Sequence, residues 1–191
     1  TEIGAGRPGW HIECSAMSTK YLGKRFDIHI GGADLIFPHH ENEIAQSEAG
    51  YNTKPWVRYW MHNEWVLVDG EKMSKSKNNF YKLADITEKG LKPMHFRYFC
   101  LLGHYRKPLN FTWENLKAAR NAYERLKNII SELKDDKKIN KKYIGEFKEA
   151  INDNLDMPGA LQVLWNLLRD KNTSGKLRTI KEMDRVLGLN L

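Results

Sequence analysis

The sequence predicts an α/β fold followed by an α-helical bundle. In the first half, short apolar stretches typical of strands alternate with stretches of helical spacing, the order of elements in a layered α/β fold. After about Pro108 the apolar spacing is helical throughout. We therefore place a domain boundary there, with residues 1–108 in the α/β part and residues 109–191 in the helical part.

Glycine and proline residues mark the ends of the elements in the α/β part. Gly23 ends the first helix, and Gly31-Gly32 stop the strand that follows. Asp69-Gly70, after the strand-like segments of this part, is a tight-turn signal. The elements predicted from these signals are helices over Trp10–Tyr21 and Pro38–Ala49, a strand over Phe26–Ile30, and strand-like segments at "YWMH" and "EWVLV".

The helical part begins with a long amphipathic helix. Thr112 can cap it, and Glu114 lies in its first turn. Its apolar positions follow bundle spacing and are Leu116, Ala119, Tyr123, Leu126, Ile130 and Leu133. The run "LKDDKKINKK" ends this helix. Two more helices are predicted, one from about Phe147 with a kink or break at Pro158, and one from about Thr179 to Leu187.

Composition narrows the class of protein. The chain is 41% hydrophobic and 29% charged over 191 residues, which is ordinary for a globular protein with a sizeable core. No apolar run approaches the roughly 20 residues of a membrane span, so we expect no membrane partner. The two cysteines do not form a disulfide framework, which favours a cytoplasmic setting. The net charge of +7 suits a polyanionic partner.

The stretch "FPHHENEIAQ" raises the question of a metal site. His39 and Glu43 are spaced i, i+4 and share one helix face, and Cys14 on an earlier helix is a candidate third ligand. Taken alone, such a His–Glu pair is more often a surface pair, and a lone cysteine is usually a core residue. The pattern lacks the second histidine of a metalloprotease motif.

A second candidate site is the stretch "EKMSKSKNN". Its lysines are compact, mobile charges suited to phosphate groups, although an arbitrary Lys/Ser stretch is usually a solvated loop. The stretch follows a strand and a turn, a position from which it can close over a site.

These stretches together resemble one enzyme family. "KMSKS" matches the second signature of class I aminoacyl-tRNA synthetases, and "PGWHIECSAM", "FDIHIGGADLIFPHHENEIAQ" and "YWMHNEWVLVDGEKMSKS" resemble the cysteinyl-tRNA synthetase family. The resemblance implies the second half of a Rossmann-like catalytic domain over residues 1–108 and a tRNA-binding α-helical bundle over residues 109–191. It also implies that the N-terminal half, with the first class I signature, precedes Thr1, so we expect the isolated chain to be inactive.

The resemblance assigns a zinc site and an amino-acid pocket. Cys14, His39 and Glu43 stand at three of the family's four zinc-ligand positions, and the fourth ligand is expected upstream of this chain. Trp10 and His29 are expected to line the amino-acid pocket, with Asp34 facing the bound substrates and Gly32 allowing close approach to the backbone. One Zn²⁺ per subunit would separate cysteine from serine, because zinc prefers sulfur to a neutral hydroxyl.

The implied reaction is ATP-dependent activation of L-cysteine to cysteinyl-adenylate, followed by transfer to tRNA(Cys). Lys72 and Lys75 are expected to stabilise the pyrophosphate in the transition state, alongside Mg²⁺. The implied ATP-binding residues are Lys72, Met73, Ser74, Lys75 and Ser76. We expect a cytoplasmic monomer.

Two alternative functions are compatible with the same residues. One is the related ligase that joins cysteine to an amino-sugar in mycothiol synthesis. The other is a non-catalytic RNA-binding fragment. A thiol-dependent adenylation assay with and without tRNA separates the three.

Overall fold

A computed structural model describes residues 4–77 and 79–191, without the side chain of Lys75. The chain divides into two compact units, one ending at Trp65 and the other beginning at Val66. The boundary predicted near residue 108 lies within the second of these units, and the functional division that it was predicted to mark stays a prediction. Within the described ranges, no helix is long and apolar enough to cross a membrane.

The first unit is built on two parallel strands joined through a helix. Strand β1 (Phe26–Gly32) pairs with β2 (Val57–Asn63), and His29 lies opposite Trp60 in the register. Helix α1 (Trp10–Leu22) precedes β1, and helix α2 (Glu41–Tyr51) lies in the crossover between the strands. A parallel pair requires such a crossover, so this arrangement agrees with the predicted α/β fold.

The segment between β1 and α2 differs from the prediction. The strand continues through Gly31-Gly32, and two short helical turns, Ala33–Leu35 and Ile36–His40, occupy the start of the predicted helix. Helix α2 then ends at Tyr51, because Gly50 stays helical and Asn52 adopts the left-handed conformation at φ 49°. The irregular turns place His39 and His40 in buried positions before the regular helix begins.

The second unit contains a three-stranded sheet with the order β4-β3-β5. Strand β3 (Val66–Val68) pairs antiparallel with β4 (Glu71–Lys72) and parallel with β5 (Leu109–Phe111). The turn between β3 and β4 is the predicted Asp69-Gly70 turn, with φ values of 51° and 80°. The backbone N–H of Gly70 donates to the side chain of Asn110 at 2.7 Å, which ties the turn to β5.

Six helices of the second unit complete its described part. They are α3 (Leu83–Glu88), α4 (Pro93–Leu101), α5 (Trp113–Ser131), α6 (Lys141–Asn152), α7 (Met157–Arg169) and α8 (Lys176–Leu187). The long helix α5 is confirmed, with its predicted apolar positions buried up to Ile130. After α5, the helix predicted over Thr179–Leu187 is confirmed as α8. The segment predicted to kink or break at Pro158 is broken into two helices, α6 and α7, because Pro158 lies in the first turn of α7.

The core of the second unit is apolar and continuous. It joins the sheet to the helices, and its most deeply buried members, each at 0% exposure, are Leu116, Leu126, Ala160, Leu164, Leu167, Ile180, Met183, Leu187 and Leu189. Cys100 lies half-buried on α4 and packs against this core.

The cap of α5 provides a test of helix stability. The hydroxyl of Thr112 accepts a hydrogen bond from the backbone N–H of Asn115 at 3.0 Å. We expect Thr112→Ala to lower the free energy of unfolding of the second unit by about 1 kcal/mol, because that N–H loses its partner. Urea unfolding followed by far-ultraviolet circular dichroism measures the change. Thr112→Ser keeps the hydroxyl and should restore most of the loss; equal losses in both variants would contradict the capping role.

Candidate functional site

A fully buried carboxylate lies at the centre of the first unit. Glu43 on α2 is 0% exposed. The Nε2 atoms of His39 and His29 lie 2.8 Å and 3.3 Å from its two oxygens. Despite these short distances, neither oxygen has a hydrogen-bond partner in the part of the chain that the structure describes. A buried carboxylate surrounded in this way requires a positive charge for its ionised form.

Three different donor types converge on this position. The ligand atoms of Cys14, His39 and Glu43 all lie within 4.8 Å of one another. They come from α1, from the turn before α2 and from α2 itself, so the fold brings together residues far apart in sequence. A thiolate, an imidazole and a carboxylate form a donor set that suits zinc. The carboxylate oxygens of Glu43, which have no hydrogen-bond partner among the described residues, are available to bind such an ion.

Burial shifts the pKa of each of these groups in the direction that favours its neutral form. It raises the pKa of the Glu43 carboxyl to about 7. It also raises the pKa of the Cys14 thiol, and the negative charge of Glu43 adds to that effect. The pKa of His39 is lowered, first by burial and then by His11. A divalent cation reverses the directions for the thiol and the carboxyl, because it stabilises their ionised forms.

Two further histidines, His40 and His62, lie beside this group and were not among the predicted site residues. The ligand atoms of His29, His40 and Glu43 also lie within 4.8 Å of one another. The Nδ1 atom of His40 lies 2.8 Å from Nε2 of His62 on β2. Burial lowers the pKa of His40 to about 4, helped by the neighbouring His29 and His62. The available signals were the adjacent histidines at 39–40 and the position of His62 in a strand parallel to β1.

Aromatic rings surround the histidines. The Trp10 ring lies 4.2 Å from that of His39 between centroids, and Trp10 is 61% exposed. The Trp60 ring lies 4.7 Å from His29 and 4.9 Å from His40. A Cβ atom at Gly31 would lie 2.5 Å from a ring carbon of His40, so glycine is required where this ring meets β1.

The structure therefore groups most of the residues predicted for the zinc site and the amino-acid pocket. Trp10 and His29 lie in contact with this cluster, through His39 and Glu43 respectively. Gly32 ends β1, and Asp34 lies exposed in the turn that follows. A Cβ atom at Gly32 would collide with the carboxylate of Asp34.

The predicted ATP-binding residues form a loop of the second unit. Lys72 ends β4, Met73 and Ser74 follow it, and residues Lys75–Lys77 form a single helical turn. The side chain of Lys75 lies outside the described part of the structure. The hydroxyls of Ser74 and Ser76 lie 2.8 Å apart, and Lys77 pairs with Glu71 at 2.9 Å.

The chain is similar to proteins of one enzyme family. Residues 1–121 match the family of tRNA synthetases class I (C) catalytic domains. The cysteine–tRNA ligase of Brachyspira hyodysenteriae is 50% identical over 197 residues, which covers 97% of this chain and 41% of the relative. That of Shewanella sediminis is 51% identical over 171 residues, covering 88% of this chain and 37% of the relative. The chain thus spans about two fifths of the length of the curated relatives that it matches.

A solved structure shares the fold. The match is the LeuRS chain in a ternary complex of Agrobacterium radiobacter K84 LeuRS, tRNA and LeuAMS, with a TM-score of 0.62 over 85% of this chain and 26% of that chain. At 17% sequence identity the likeness shows the fold alone. It agrees with the predicted class I synthetase architecture.

The two cysteines allow a matched test of the metal site. We expect Co²⁺ added to the chain to give a thiolate-to-metal absorption band, because Cys14 lies within 4.8 Å of the other donors. Cys14→Ser should remove that band and lower the zinc content of the purified protein. Cys100→Ser, which alters the half-buried cysteine of α4, should leave both unchanged. A band that survives Cys14→Ser would exclude Cys14 as a ligand.

Proposed function

The chain belongs to the family of class I (C) tRNA synthetase catalytic domains, and we propose that the protein is a cysteine–tRNA ligase. It activates L-cysteine with ATP to cysteinyl-adenylate, releases pyrophosphate and transfers the cysteinyl group to tRNA(Cys). The observation that carries the proposal is the convergence of Cys14, His39 and Glu43 on one buried position. A thiol-selective enzyme needs such a soft-metal site, because shape alone separates cysteine poorly from serine.

In this proposal Cys14, His39 and Glu43 hold one Zn²⁺, with a fourth ligand from outside these 191 residues. Bound zinc supplies a preference for sulfur and a lowered thiol pKa. Glu43 is held at 0% exposure, so its charge acts in a poorly screened environment. Nε2 of His29 lies 3.3 Å from the second oxygen of Glu43, within reach of a contact that can orient that carboxylate.

The amino-acid pocket is proposed to lie against the same cluster. Trp10 offers an exposed indole next to His39, which can pack against the substrate's methylene group. Gly32 lets the substrate approach the end of β1. The exposed carboxylate of Asp34 suits the substrate's ammonium group or the adenosine.

The loop from Lys72 to Ser76 is proposed to bind ATP. In activation, a carboxylate oxygen of cysteine attacks the α-phosphorus of ATP and forms the bond of the adenylate. The bond from the α-phosphorus to the oxygen of the β-phosphate breaks, and the leaving pyrophosphate carries the developing charge. The ammonium groups of Lys72 and Lys75, together with Mg²⁺, stabilise that charge. Ser74 and Ser76 offer hydroxyls, and Met73 packs the loop against the core of the second unit.

The proposal also covers tRNA binding, cellular location and oligomeric state. The helical part carries much of the chain's excess of lysine and arginine, which suits the tRNA backbone. The protein is proposed to act as a cytoplasmic monomer. The amino-sugar ligase needs no tRNA, so the transfer step separates the two enzymatic functions.

Cysteine-dependent exchange of labelled pyrophosphate into ATP tests the proposal. The assay is run on the 191-residue chain and on the ligase that contains this sequence, with zinc quantified in each sample. Exchange supported by cysteine and not by serine, followed by transfer to tRNA(Cys), supports the function. Activation without transfer to tRNA supports the amino-sugar ligase. No activation in the ligase, with RNA binding retained, leaves the RNA-binding function.

Removing a loop lysine tests the assignment of the ATP site. We expect Lys75→Ala to lower the activation rate of the ligase by about 100-fold, because one charge that stabilises pyrophosphate is lost. Affinity for cysteine should stay within about twofold, because the predicted role of Lys75 is toward phosphate. Pre-steady-state activation kinetics measure both quantities. Lys117→Ala, on the exposed side of α5, is the control. An unaffected activation rate in Lys75→Ala would remove this residue from the mechanism.

A further inference from the structure

The loop that carries the ATP-binding motif is closed by one side chain. The carboxamide oxygen of Asn79 accepts a hydrogen bond from the backbone N–H of Ser74 at 2.7 Å. The amide nitrogen of the same side chain donates to the backbone carbonyl of Lys72 at 3.2 Å. One asparagine thus binds the loop's backbone on both sides of Met73.

A second contact fixes the loop from its other side. Met73 packs against the apolar core of the second unit. It also lines a cavity of about 120 Å³ whose other walls include Tyr81, Phe96 and Phe111. The methionine side chain is flexible, and the cavity leaves it room to change rotamer. Apolar packing of Met73 therefore ties the loop to the core.

The remaining contacts of the loop are weaker determinants of its conformation. The Glu71–Lys77 pair joins two exposed side chains, with side-chain exposures of 60% and 56%. Exposed ion pairs contribute little and are screened by salt. The Ser74–Ser76 contact joins two hydroxyls that can rotate toward water. The Asn79 side chain, by contrast, bonds directly to two backbone groups of the loop.

We propose that Asn79 is a positioning residue for the activation step. Its carboxamide holds Ser74 N–H and Lys72 C=O, and so sets the backbone from which the lysines of the motif extend. The role rests on the proposed function, because it acts through Lys72 and Lys75 and not by contact with substrate. Asparagine meets the requirement because it offers one acceptor and one donor on a short side chain. Aspartate lacks the donor, and leucine lacks both groups.

Amide hydrogen exchange on the 191-residue chain tests the contact itself. We expect Asn79→Ala to speed exchange of the Ser74 amide by roughly five- to tenfold, the effect of losing one hydrogen bond. Asn79→Asp retains the acceptor and should keep most of that protection. Exchange within α5 should stay unchanged in both variants, which shows that the unit is folded. Asn128→Ala, an exposed asparagine of α5, is the matched control.

Activation kinetics of the ligase test the positioning role. We expect Asn79→Ala and Asn79→Leu to lower the maximal rate of cysteine-dependent pyrophosphate exchange by about tenfold. The KM for cysteine should stay within about twofold, because the loop acts on phosphate. A purely structural role would leave the maximal rate per folded enzyme unchanged.

The outcomes separate this role from the proposed function. Unchanged exchange of the Ser74 amide in Asn79→Ala would overturn the contact. Faster amide exchange with an unchanged activation rate would overturn the positioning role while the ligase function stands. An unaltered ligase that does not support cysteine-dependent pyrophosphate exchange would overturn the proposed function, and the role of Asn79 in activation with it.

Discussion

The first unit depends on the burial of the Glu43 carboxylate. Among the described residues up to Trp65, the buried side chains are mostly polar, and Trp56 and Val57 are the buried apolar ones. Apolar burial therefore contributes little to holding α1, β1 and α2 around this centre. A carboxylate at 0% exposure is costly unless a positive charge accompanies it. The fold of this unit and the charge at its centre are consequently coupled, since metal binding to such a site contributes free energy of folding.

The second unit follows the opposite principle. Its helices and sheet share a continuous core of side chains that are almost completely buried, and polar groups serve the ends of helices and loops. The hydroxyl of Tyr123, for example, donates to the backbone carbonyl of Leu189 at 2.7 Å. Arg97 donates to the carbonyl of Leu187 at the end of α8. Apolar area and hydrogen-bonded backbone groups stabilise this unit.

The sequence was informative where a local rule decides the structure. The spacing of apolar residues predicted α5, and Thr112 and Asp69-Gly70 marked a cap and a turn. It was less informative where two local signals compete. Pro158 can kink a helix or begin one, and only packing of α6 against α7 as separate helices decides between them. For the candidate site, residue types were predictable from family resemblance. The grouping of His40 and His62 was not, because it depends on strand register and on an irregular turn.

The shifted pKa values of Cys14 and Glu43 suggest how a metal at this position could distinguish a thiol from a hydroxyl. Burial raises the pKa of Cys14 and that of Glu43, so without a cation both groups tend toward protonation near neutral pH. A divalent cation favours the ionised thiol and carboxyl and releases their protons. The same field acts on any further ligand that enters. In the proposed ligase, a bound cation would favour the ionised form of a substrate thiol, whereas a serine hydroxyl, with a much higher pKa, would stay neutral. On that proposal, selectivity would follow from the difference in acidity between sulfur and oxygen, and the pocket would not need to distinguish their sizes.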